Sequence, residues 1–141
     1  MSCTVRSCLS GTGVLLALLI SFLAMSASVS AHEVRPAYLQ IDQTGEARYS
    51  VLWRTPLLAG MRLPVILQYS DGIKVVAGPA ERILPDSVVE RSIIEAPDGL
   101  VGQRISFVGL QVSITDVMVR VKLHDGTVTT SMIRPSQPWI E

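Results

Sequence analysis

From Ala37 onward the chain repeats with a period of two, and a polypeptide with that period buries its apolar side chains by forming sheet. Ala37, Leu39 and Ile41 alternate with Tyr38, Gln40 and Asp42. After Thr44-Gly45, Tyr49, Val51 and Trp53 alternate with Arg48, Ser50, Leu52 and Arg54. Leu63, Val65, Leu67 and Tyr69 form a third run, stopped by Ser70-Asp71-Gly72. Successive side chains of a strand point to opposite faces, so each run predicts a half-buried strand with its apolar set inward. Val88 to Ile94 is apolar on both faces with Glu90 and Arg91 inside it, which leaves its register open. Ile105 and Phe107 begin a short strand, and Leu110, Val112 and Ile114 extend the pattern past Gly109. With turn clusters at intervals of about ten residues, the expected fold is all-β, an antiparallel immunoglobulin-like β-sandwich.

The sharpest local signal lies near the end. Val117, Val119, Val121 and Leu123 alternate with Met118, Arg120 and Lys122, and Asp125-Gly126 follows. Asp-Gly between alternating runs predicts a two-residue hairpin turn. It pairs His124 with Thr127, Leu123 with Val128, Val121 with Thr130 and Val119 with Met132. Arg134-Pro135-Ser136-Gln137-Pro138 cannot continue a central strand, because proline removes ladder donors. Residues 135–141 are therefore expected as a linker or frayed tail, with docking of Trp139-Ile140 on the sandwich, a membrane or a partner as the alternative.

The first thirty-one residues follow other rules. Arg6 is the only charge of a basic head, an apolar run extends from Val14 to Met25, and small residues end in Val29-Ser30-Ala31. That order predicts a secretory signal peptide over residues 1–31, cleaved after Ala31, with Ala27 as the second candidate. The run is about a dozen residues, short of the roughly 20 needed to span a bilayer. The mature chain would begin at His32, outside the cytoplasm, with one domain over residues 32–134. Both cysteines, Cys3 and Cys8, leave with the signal, so the mature chain has no disulfide of its own. Removing Arg6 leaves 11 basic residues against 12 acidic ones, a balance of −1. This argues against nucleic acid or anionic lipid as a partner, since both demand a basic surface. No second apolar segment is long enough for a transmembrane helix in the mature chain.

Several segments together resemble a known family. Ala31-His32-Glu33-Val34-Arg35-Pro36-Ala37-Tyr38-Leu39 looks like the opening of the extracytoplasmic region of HupE/UreJ-family membrane proteins. The same holds for Gly109-Leu110, then Thr115 to Val121, then Asp125-Gly126 and Arg134-Pro135. The family is associated with hydrogenase and urease accessory functions and with nickel or cobalt transport. In its larger members a domain like this one precedes transmembrane helices carrying the metal-handling His and Asp residues. This sequence lacks those helices. The resemblance thus implies a metal-transport context, with a membrane transporter subunit encoded nearby as the partner, and does not transfer the transport activity. A truncated remnant of such a protein is a further reading, and a generic adhesion or assembly module another.

For chemistry of its own the domain offers little. It has no mature cysteine, no G-x-S-x-G elbow and no phosphate-cradling glycine loop, so no enzymatic activity is expected. Asp116 reads as a strand-end residue, Asp71 and Asp125 as turn residues, and Trp53 as core. The candidate metal ligands are His32 and His124. As the amino-terminal residue, His32 would offer an imidazole and a free α-amine, two nitrogens suited to Ni(II) or Cu(II). Glu33 could add a carboxylate oxygen and His124 a second imidazole if the fold brings the hairpin tip near. This would make the chain a free-standing periplasmic metal-binding protein, the alternative to an accessory domain. An exposed terminal histidine without a metal is the plainer expectation.

Overall fold

The structure is a computed structural model and describes residues 35–141. The signal segment, His32 and Glu33 lie outside the described residues. Strand β1 (Ala37–Gln43) runs through the middle of the larger sheet. It pairs antiparallel with β2 (Arg48–Leu58), setting Leu39 opposite Trp53 and Ile41 opposite Val51. On its other side it pairs parallel with β8 (Val117–Lys122), setting Leu39 beside Val119 and Ile41 beside Val121. These inward rows are the odd-numbered residues that the period of two predicts. β6 (Ser87–Glu95) joins the free side of β2, and β5 (Lys74–Ile83) is the edge beyond it. β9 (Val128–Ile133) is the opposite edge, and the two-residue β3 (Met61–Arg62) also pairs with β2.

A second, three-stranded antiparallel sheet covers the inner face. β7 (Ile105–Val108) lies between β4 (Ile66–Tyr69) and β10 (Trp139–Ile140). The two sheets share one core. Trp53 of the larger sheet, 2% exposed, meets the buried Phe107 of the smaller one with ring centroids 5.7 Å apart. Leu39, Ile41, Val51, Val65, Leu110 and Val117 complete its interior. Each such side chain contributes roughly 1.5–3 kcal/mol when removed from water. Thr55 and Trp53 carry buried polar atoms without a hydrogen-bond partner among the described residues.

Several sequence expectations need correction. The larger sheet is mixed, because β1 and β8 run parallel, so the fold is not antiparallel throughout. The run from Leu63 to Tyr69 is not one strand: the chain leaves the larger sheet after β3, residues 63–65 lie outside any strand, and β4 begins at Ile66 in the smaller sheet. The inward parity of Leu63 and Val65 survives the crossing, which is why the period looked continuous. Leu110–Val112 forms a single 3-10 turn rather than a strand, leaving Val112 and Ile114 81% and 79% exposed. Gly109 causes this break. Its φ is +95°, and a Cβ there would sit 2.1 Å from the Pro64 carbonyl oxygen, so only glycine allows the approach.

The Asp125-Gly126 hairpin exists, but its register lies one residue from the expected one. Met118 faces Met132, Val119 faces Ser131 and Val121 faces Thr129. The loop holds three residues, not two. The Gly126 N–H donates to the Leu123 carbonyl (3.1 Å), the Leu123 N–H donates to the Thr127 carbonyl (2.9 Å), and Gly126 has φ +88°. This is a turn closed by a glycine bulge, the usual three-residue hairpin. The slip turns Val128 and Met132 outward, and Met132 is 47% exposed.

Candidate functional site

The hairpin tip places His124 beside the β1–β2 loop. Its backbone N–H donates to Gln43 Oε1 (3.0 Å), and its side chain borders a shallow depression with Gly45 and Glu46. The parallel register fixes where this is. Ala37 lies beside Val117 and Asp42 beside Lys122, so His124 stands past the end of β1 opposite to its start. Six strand steps separate Ala37 from Gln43, roughly 20 Å. His32 lies outside the described residues. A joint site would require residues 32–36 to run back along the sheet almost fully extended. The described residues thus bring His124 together with Glu46 and Gln43 and not with the beginning of β1. Among the described residues no group of three or more His, Cys, Asp or Glu is placed to hold a metal ion.

The acidic residues singled out in the sequence have local roles. The Asp116 carbonyl accepts the Ala37 N–H (2.9 Å) where β1 and β8 begin side by side. Asp125 Oδ1 accepts the Thr127 N–H (2.8 Å) across the hairpin bulge. That bond holds the Asp125 carboxyl below its ordinary range.

Two clusters escaped the sequence reading. The first is a clasp on the outer face of the larger sheet. Asp86 Oδ2 accepts from Arg35 Nη1 (2.8 Å) and Arg54 Nη2 (3.1 Å), and Asp86 Oδ1 accepts from the Ser87 hydroxyl (2.9 Å). Arg54 Nε also donates to Ser87 Oγ (3.0 Å). The Ser87 hydroxyl first, then the guanidinium groups of Arg54 and Arg35, hold the Asp86 carboxyl below its ordinary value. A carboxylate stabilised in its charged form is a weak base, so Asp86 is poorly suited to activate Ser87 as a nucleophile. The cluster ties the entry of β1 to β2 and β6. Arg35 and Asp86 are 51 residues apart, and no spacing rule links them.

The second cluster lies where the two sheets part beside β4, β5 and β6. A cleft of about 180 Å3 is lined by Trp53, Tyr69, Pro79, Glu90 and Ser92. Burial pushes the Tyr69 hydroxyl up, opposed by its bond to Ser92. Arg62 pairs with Glu90, which lines the cleft, and with Glu81 (2.5 Å). Glu90 and Ser92 occupy inward positions of β6, opposite Trp53 and Val51. The parity of Val88 and Ile94 would have placed them there had the register been known. On the other side, between β8–β9 and β7–β10, a more apolar cleft of about 280 Å3 is lined by Leu100, Val121, Leu123, Thr129, Ser131 and Ile140. No helix among the described residues is long and apolar enough to cross a membrane. The chain matches no known family model, and no curated protein matches it.

Proposed function

We propose that this chain is an exported, non-catalytic accessory domain that works beside a HupE/UreJ-type metal-transport membrane protein, and that its two sheets form an immunoglobulin-like sandwich. The observation that carries the reading is where the family-like segments fall. The opening Pro36 to Leu39 and the later Thr115 to Val121 are far apart in sequence yet meet as the parallel pair β1–β8 at the centre of the larger sheet. Gly109 makes the close approach to Pro64 that glycine alone permits, and Leu110 after it is fully buried. Asp125-Gly126 closes the hairpin. The resemblance thus gathers on residues that define one fold, which supports a shared domain more strongly than a shared site.

The working surface in this reading is the sheet itself, and the metal belongs to the transporter as cargo. Nickel or cobalt uptake by cells that make the neighbouring transporter tests it. Deleting this chain should lower accumulation of radioactive nickel or cobalt, and restoring the exported chain should recover it. Unchanged accumulation of both metals would overturn the reading. The alternative of a free-standing Ni- or Cu-binding protein rests first on His32, with His124 as a second ligand only if residues 32–36 run back along β1.

A further inference from the structure

The two edges of the larger sheet are built differently. β5 carries Lys74, Glu81 and Arg82, contains Pro79, and shifts register twice along β6. Charge, proline and bulges are the devices that stop an edge from pairing with another strand. β9 has none of them. Its six residues, Val128 to Ile133, hold no charge and no proline, and its register with β8 is unbroken. Among the described residues it pairs only with β8.

The hydrogen bonds of the hairpin show which backbone groups this edge offers. Leu123 and Thr127 close the first pair next to the loop. Bonded pairs recur every second residue in an antiparallel ladder, so Thr129, Ser131 and Ile133 turn their backbone groups toward β8. Val128, Thr130 and Met132 therefore turn theirs outward. Along the same edge runs the apolar cleft, with Leu123, Ile140 and Leu100 in its walls and Val101, 93% exposed, on its rim. On the outer face, Arg120 and Lys122 stand opposite Thr130 and Val128. These two cations, and Arg134 just past β9, have no ion pair among the described residues.

We infer that β9 is a docking edge for an extended segment of a partner protein in which apolar residues alternate with acidic ones. The added strand takes backbone hydrogen bonds from Val128, Thr130 and Met132. Its apolar side chains enter the cleft between the sheets, and its carboxylates meet Arg120 and Lys122 across the short Thr130 side chain. This is strand addition, in which main-chain bonds give affinity and alternate pockets give specificity. A second copy of this chain fits less well, because β9 against β9 brings the unpaired cations of both copies onto one face. The inference rests on reading the chain as an interaction domain and names the partner's chemistry.

The test uses the protein recovered from the exported fraction and a capped eight-residue peptide alternating valine and glutamate. Calorimetry should show one site, weakening as salt rises, and amide exchange should slow at Val128, Thr130 and Met132. Thr130→Pro removes one outward N–H and leaves the bonds to β8 intact, and it should weaken binding about tenfold or more. Reversing charge with Arg120→Glu and Lys122→Glu together should transfer preference to a valine–lysine peptide, which keeps the test open if the proline variant does not fold. No binding, equal binding by the lysine peptide and wild-type protein, or full binding by a folded Thr130→Pro variant would overturn the proposal. So would a peptide-free dimer that Thr130→Pro disrupts, which would give the edge to a second copy. The assay contains neither metal nor transporter, so its failure leaves the uptake experiment to judge the accessory reading separately.

Discussion

Trp53 shows how one residue holds two sheets together. It projects from β2, is almost fully buried, and packs on Phe107 of the facing sheet. Trp53→Ala should cost about 3–5 kcal/mol, measured by urea unfolding, because the core cannot collapse into a void of that size. A loss below about 1 kcal/mol would mean that the indole does not bridge the sheets. Asp86 acts at the same scale through charge. Its folded pKa lies below the ordinary 3.8. A depressed carboxylate contributes stability above the unfolded pKa, and that contribution is lost as pH falls through the folded one. Acid unfolding of the wild type should therefore steepen below about pH 3.8, and Asp86→Asn should flatten that limb while lowering stability at neutral pH. Identical acid limbs would mean that the clasp does not form.

At the scale of elements, the sequence was legible where burial is one-sided and opaque where it is not. β1, β2 and β8 each bury one face, so their alternation gave parity and the core without any knowledge of pairing. β5 is exposed along its whole length, and its bulges around Gly78 and Pro79 break the period, so no apolar pattern announced it. The hairpin slipped by one residue because Asp-Gly serves both a two-residue turn and a three-residue turn with a glycine bulge. Only the bonds of Leu123 separate the two. The candidate site was less legible still, since the Asp86 clasp and both clefts join residues that no local spacing connects. The docked tail, the alternative to a frayed end in the sequence, also joins residues far apart. Trp139 and Ile140 pair with Ser106 and Ile105, Arg104 lies 4.3 Å over the Trp139 ring, and Arg104 Nε bonds Glu141 (2.8 Å). Deleting residues 139–141 should cost about 1–3 kcal/mol, from one half-buried isoleucine and a cation–π contact. An unchanged melting temperature would restore the frayed-end expectation.

For the whole molecule, the open question is how the region before Ala37 and the folded domain divide the work. The sheet gives His124 to the hairpin tip, roughly 20 Å along β1 from where the chain enters. A chelate built on His32 then depends on processing. Cleavage after Ala31 would turn His32 into an imidazole next to a free α-amine, whose reference pKa of about 7.7–8.0 allows partial deprotonation at neutral pH. Mass spectrometry of the exported chain should find His32 first. Calorimetry with that form should then show one Ni(II) or Cu(II) site. Acetylating that terminus should abolish most of the affinity, because it converts the amine into a non-basic amide. His124→Ala should leave the affinity unchanged, which separates a terminal chelate from a site shared with the hairpin. Loss of binding in His124→Ala would mean that residues 32–36 do run back along the sheet. Equal binding by the free and acetylated termini would remove the terminal site.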